Sequence, residues 1–207
     1  MIRFTILWWF LFLVMSVRAP ADVLTFRTVP DDPRNTVLFR SNAPLEKIVG
    51  KTHALAGFLK LDPESPSAGA AGRFEVELDR LDTGLPLRNQ HMRELHLETD
   101  RYPVAVFRLK ELEISEGGLL PGTVAPLNAL GEFSVHGVAR DYRVSGTLVY
   151  KPEVAGGQLI CTARWTVRLA DHEIHRPHYL FMKLAEEQEV VVECVLEAGG
   201  GEVEAQK

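Results

Sequence analysis

The sequence predicts an all-β domain, either a sandwich or an up-and-down barrel. Three observations carry that prediction. Apolar and charged residues alternate with period two in several separate runs, the mark of half-buried strands. Turns rich in glycine and proline separate these runs. Helical spacing is clear in one short segment only. The chain has 207 residues, 46 % of them apolar and 25 % charged, so one core of ordinary size can be built. The formal charge of −5 and the lack of a basic run exclude a nucleic-acid partner.

Taken in order, the first strand starts at Val37 and Phe39, interleaved with Arg40. Phe74, Val76 and Leu78 then alternate with Arg73, Glu75, Glu77 and Asp79. Leu159, Cys161, Ala163, Trp165, Val167 and Leu169 share one face of a long strand, with Arg164, Thr166 and Arg168 on the other. Val190, Val192, Cys194 and Leu196 alternate with Glu189, Glu193 and Glu197. Together with less regular runs these give about eight strands, at 35–43, 50–61, 72–81, 103–114, 122–136, 139–151, 157–170 and 187–198. Leu87 to Leu97, with Leu87, Met92 and Leu95 on one side, predicts a short amphipathic helix with Pro86 at its first turn. Pro103 stops any extension. His172 to Glu187 is irregular, with room for a turn of helix, and the glycine-rich tail 199–207 is expected to fray.

The N-terminus reads differently. Arg3 precedes an apolar run from Thr5 to Val17, too short for a span of ~20 residues. Ala19-Pro20-Ala21 offers the small residues of a cleavage site, so residues 1–21 are expected to be a signal peptide and 22–198 the domain. Removing Arg3 and Arg18 leaves 21 of the 23 basic residues against 28 acidic ones, a mature charge of −7. The mature protein is then periplasmic or secreted. In that oxidising setting Cys161 and Cys194 can persist as a disulfide. Both fall on inward faces of their strands, placed symmetrically about Pro177 as partners across a hairpin would be.

Signals for catalysis are weak. Gly50-Lys51-Thr52 lacks the earlier glycine of a phosphate loop, since Leu45 stands there. His172-Glu173-Ile174-His175 is one residue short of a zinc-protease helix. His172, His175 and His178 leave a metal-binding loop as an alternative. His136 before Gly137 reads as a turn residue. Nucleophile elbows and catalytic cysteine signatures are absent. The expectation is a protein that is not an enzyme.

Four further elements occur in order. They are Thr52-His53 with Gly57-Phe58; Leu81-Asp82-Thr83-Gly84 with Arg88, His91-Met92-Arg93, Tyr102-Pro103 and Phe107; Gly131 to Val138, ending in His-Gly-Val; and the acidic-then-valine stretch Leu184 to Val192. Over about 37–198 the chain thereby resembles the YceI-like family of exported lipid-binding proteins. Two departures stand out. Asn89 follows Arg88 where the family usually has an acid, and His96-Leu97-Glu98-Thr99 replaces an aromatic-rich stretch.

The resemblance implies an eight-stranded antiparallel, lipocalin-like barrel with a short helical insertion. It implies a polyisoprenoid ligand, an isoprenoid quinone or a polyprenyl phosphate, and no other cofactor. Lining residues are then Phe39, Phe58, Phe74, Val76, Leu78 and Phe107, with Phe133, Leu148, Trp165, Val167, Val190 and Val192. From periodicity alone these side chains fill a packed core instead. Arg88, His91 and Arg93 are placed to meet a head group, or else form a solvated helix face with Arg88 anchoring a loop. Transient membrane contact and a homodimer are held as further partners. Two other functions compete: a metal-assisted enzyme on a lipid head group, and a structural partner protein linked to stress or respiration.

Overall fold

The computed structural model describes residues 22–42, 47–114, 118–154, 156–175, 178–179 and 182–199. The expected signal peptide therefore lies outside the described residues. The strands are β1 (Leu24–Thr28), β2 (Thr36–Asn42), β3 (Lys47–Thr52), β4 (Leu55–Leu61) and β5 (Ala71–Glu77). They continue with β6 (Val104–Ile114), β7 (Val124–Val135), β8 (Val138–Lys151) and β9 (Gln158–Arg168). A small hairpin, β10 (His178–Tyr179) and β11 (Met182–Lys183), precedes β12 (Glu187–Ala198).

The main sheet runs β1-β4-β5-β6-β7-β8-β9-β12, and β12 pairs back onto β1, so it closes. Along its free edge β12 meets two strands in turn. Leu196 to Ala198 pair with β1, and Gln188 to Glu193 pair with β2. β2 then pairs with β3, as β1 does with β4. Thus β1 with β2, and β3 with β4, act as two bent staves of an eight-stranded antiparallel barrel.

The bends have local causes. Asn35, fully buried, anchors the excursion between β1 and β2. Its Nδ2 donates to the Val29 carbonyl at 3.0 Å, and its Oδ1 accepts from the Val195 N–H at 3.0 Å. At the β3–β4 bend Thr52 Oγ1 accepts from the Ala54 N–H at 3.0 Å, a side-chain bond that competes with the ladder. The run read as one strand over 50–61 is therefore two, and it begins at Lys47. Strand β1 has no counterpart among the strands expected from the sequence. Its five residues bury a single large ring, Phe26, too little alternation to register.

Other ends shift by a few residues. The strand expected to reach residue 81 stops at Glu77, where Leu78–Arg80 form a 3-10 turn. The β7–β8 hairpin turns on His136 and Gly137, with φ of 53° and 75°. That is the two-residue turn whose twist matches flanking strands. Gly137 is doubly constrained, since a Cβ there would also strike the Tyr102 ring. The expected helix is Pro86–His91 (α1), extended by a wider π turn, Met92–His96.

The interior divides along the barrel axis. At the end where β1 lies, Phe26, Leu59, Leu61, Leu148, Leu159 and Leu196 are buried in one packed cluster. At the other end Leu78, Leu81, Ala105, Val135, Leu169 and Ile174 form a second cluster, with Met92, Leu97 and Leu184 against it. The first acts as a floor and the second as a roof.

Candidate functional site

Between floor and roof lies a cavity of about 730 Å³, within the size range of ligand pockets. Its wall is apolar because period two sends every second residue inward. Three pairings keep it open. Phe39 lies opposite Gly50, Phe74 opposite Gly57, and Phe107 one step diagonal to Gly131. In each case a Cβ on the glycine would overlap the ring. The rings occupy space along the wall that a side chain would have filled, so the barrel axis stays clear. Trp165 reaches from β9 toward Phe107 and Phe133, with ring centroids 5.8 and 5.5 Å away.

Most expected lining residues meet here. Phe39, Phe74, Val76, Leu78 and Phe107 line the cavity, as do Phe133, Trp165, Val167, Val190 and Val192. Two do not. Phe58 points outward, because Leu55, Leu59 and Leu61 hold the inner face of β4; the Arg27 guanidinium sits 5.6 Å from its ring centroid. Leu148 does face inward, but it is fully buried in the floor below the cavity.

The insertion from Leu81 to Leu97 borders the mouth. Leu85 and Leu87 line the cavity yet are 53 % and 64 % exposed, which marks where it opens. A compact network ties this insertion to the barrel. Asp82 pairs backbone to backbone with Lys51. Its carboxylate accepts from the Gly84 N–H and from Asn89 Nδ2, both at 2.7 Å. Those bonds hold its carboxyl below the usual carboxylate range. Asn89 Oδ1 in turn accepts from the Thr83 N–H at 2.8 Å and from its hydroxyl at 2.6 Å. Asn89 thus donates to one neighbour and accepts from the other, which an ionised acid cannot do.

The basic residues divide. Arg88 and His91 line the cavity. Arg88 also holds Thr83, its Nε donating to the hydroxyl at 2.9 Å and its terminal nitrogen to the carbonyl at 2.7 Å. Arg93 stays off the lining and donates to the Leu81 carbonyl at 3.2 Å, which ties the insertion together. Sequence reasoning missed Leu85 and Leu87 at the mouth, and Gln188 and Leu55 in the wall.

Of the three loop histidines, His172 is held by partners within the barrel. His172 is fully buried; its Nδ1–H donates to the Val138 carbonyl at 2.9 Å, and Nε2 accepts from the Tyr142 hydroxyl at 2.9 Å. Burial pushes its pKa below the usual histidine value. His136 bridges the His172 carbonyl and Glu98. Among the described residues, no three histidines, cysteines or acids gather as a metal site. The side chain of His178 lies outside the described residues. Cys161 and Cys194 face each other directly across β9 and β12, both as thiols. A hydrogen bond from one thiol to the other and burial push the Cys194 pKa up.

Solved structures share this architecture. BcnA of Burkholderia cenocepacia superposes with a TM-score of 0.66 at 15 % identity, covering 78 % of this chain and 95 % of its own. A polyisoprenoid-binding domain of Saccharophagus degradans, implicated in plant cell wall breakdown, gives 0.64 at 14 % identity over 84 % and 99 %. The YceI protein of Campylobacter jejuni gives 0.58 at 13 % over 73 % and 85 %. At such identities these likenesses show the fold. No protein with a curated description matches the chain in sequence. The model of the YceI-like domain does match, over residues 31–198, which takes in nearly the whole barrel and its cavity, and the chain therefore belongs to the YceI-like family.

Proposed function

We propose that this protein binds a long apolar lipid in the barrel cavity and carries or sequesters it after export. The polyisoprenoids, isoprenoid quinones or polyprenyl phosphates, are the ligand class. The single observation that carries this reading is an open apolar cavity inside a barrel whose largest inward rings lie back on glycines. A floor of packed leucines closes one end, so a tail enters by the mouth and stops above that floor. Each methylene withdrawn from water is worth ~0.8 kcal/mol, which favours enclosing the tail. The Saccharophagus neighbour, described as polyisoprenoid-binding, supports the same ligand class.

We read the protein as a binder and not an enzyme. Among the described residues the polar lining ones are Thr83, Arg88, His91, His96 and Gln188, and the Thr83 hydroxyl is engaged by Asn89 and Arg88. Arg88 and His91, beside the mouth, are the head-group candidates. The reading also takes residues 1–21 as a signal peptide and Cys161–Cys194 as a disulfide in the exported protein. Mass spectrometry of an organic extract of purified protein tests the function. The expected result is one polyisoprenoid species near equimolar with protein. An extract free of lipid, from protein made in cells with abundant isoprenoid quinone, would refute it.

A further inference from the structure

We infer that the mouth of the cavity docks on a lipid bilayer carrying anionic phospholipid, with Leu85 and Leu87 dipping into it. The inference rests on the reading that the cavity takes a lipid. Leu85 and Leu87 are more than half exposed and line the opening, and Leu95 on the same insertion is exposed too; Leu120 and Val124 are as exposed but lie off the cavity lining. Val49 on the adjoining β3 is exposed too, at 44 %.

The wall is also built differently here. Strand β3 pairs with β2 on one edge. On its other edge, among the described residues, the Lys51–Asp82 bridge is its one ladder contact. Beyond that bridge, Ile48 on β3 and Leu85 and Leu87 on the insertion border the same cavity, without a ladder between them. A lipid tail passing between Ile48 and Leu87 crosses water unless a bilayer covers the gap. The exposed leucines supply that cover, since apolar side chains at an interface are buried to a depth of several ångströms.

Charge identifies the surface. The chain is acidic overall, at −5. In the two segments flanking the opening, 47–51 and 81–97, the balance reverses: Lys47, Lys51, Arg88 and Arg93 stand against two acids, Asp82 and Glu94, and Asp82 lies beside Lys51 and Arg93. A locally basic rim on an acidic protein turns this face, and not the rest, toward negative head groups.

Flotation of the full mature chain with vesicles tests the surface. One set holds phosphatidylethanolamine with phosphatidylglycerol, another phosphatidylcholine alone. The wild type should float with the anionic set, less so at high salt. The Leu85→Ser, Leu87→Ser double variant should partition on the order of tenfold more weakly, as two leucines leave the interface. Val154→Ser, at an exposed site in the β8–β9 connection at the floor end, should float like the wild type. A wild type that stays with the aqueous phase overturns the inference, and so does a double variant that floats unimpaired. Self-association through Leu85 and Leu87 without vesicle binding overturns it as well. Lipid extraction runs beside each sample. Co-purified lipid without flotation removes the docking face and spares the carrier reading. Flotation with an empty cavity removes the carrier reading and spares the face.

Discussion

The ring of Phe107 on β6 occupies the space that a side chain at Gly131 on β7 would need. Phe39 with Gly50 and Phe74 with Gly57 repeat the arrangement on other strands of the barrel. Aromatic rings covering glycines stabilise sheets in general. Here they also decide whether the interior is filled. Gly131→Ala is expected to push the Phe107 ring off the wall and toward the axis. Overpacking of this kind costs ~1–3 kcal/mol and should lower lipid content at the same time. Adding Phe107→Leu should restore part of both losses. A double-mutant cycle by thermal melting measures the coupling, and additive effects would show that the two residues act independently.

Asn89 carries the second expectation. It donates to Asp82 and accepts twice from Thr83. Asn89→Asp would set two carboxylates side by side at the base of the insertion. The melting temperature should fall below the wild-type value at pH 7. The gap should narrow as the pH drops and one acid takes up a proton, which then donates across the pair. Melts across that range check it; a constant gap would rule out charge repulsion. The departure from the family's usual acid is thus matched here by an amide with two distinct jobs.

How much of this was legible in the sequence depends on what periodicity encodes. Alternation fixes which side of a sheet a residue takes, so Phe74, Val76, Trp165 and Val190 could be placed inward without coordinates. It does not encode height along the barrel axis. Leu148 and Trp165 read alike, yet one fills the floor and the other faces the cavity. Around Phe58 both faces of the run look apolar, and the choice falls to Leu55, Leu59 and Leu61. The signal that settles it was present: Gly57 must be inward to receive Phe74. The bond of Arg93 to the Leu81 carbonyl was not legible, because its partner is a backbone atom that no side-chain pattern reveals.

His172 sets a pH dependence. Burial lowers its folded pKa, while the unfolded chain keeps a value near 6.5. The unfolded state therefore binds more protons below about pH 6.5, and stability is lost as the pH falls through that point. His96, lowered by burial as well, adds a contribution of the same sign. Denaturant midpoints at pH 7.5 and pH 5 should show the loss. A His172→Phe variant should be less stable at neutral pH, with a shallower slope; an unchanged slope would assign the titration elsewhere.

Cys161 and Cys194 stand at directly opposed positions, where β-carbons come within ~4.5–5.5 Å. Protein recovered from an oxidising compartment should show no titratable thiol when denatured without reductant, and two after reduction. Two free thiols at the outset would leave the pair as hydrogen-bonded thiols, Cys194 buried and Cys161 half-buried.

Trp165 offers the most direct view of the cavity. The chain has three tryptophans, and the other two, Trp8 and Trp9, fall in residues 1–21, the segment proposed to be a signal peptide. Emission from a protein of residues 22–207 therefore reports on one indole, in the cavity wall and 9 % exposed. Titrating delipidated protein with a short-chain isoprenoid quinone should quench that emission saturably, with an endpoint near one equivalent, because the quinone lodges against the ring. Emission that declines only linearly, as with free tryptophan in the same solution, would contradict a lipid-holding cavity.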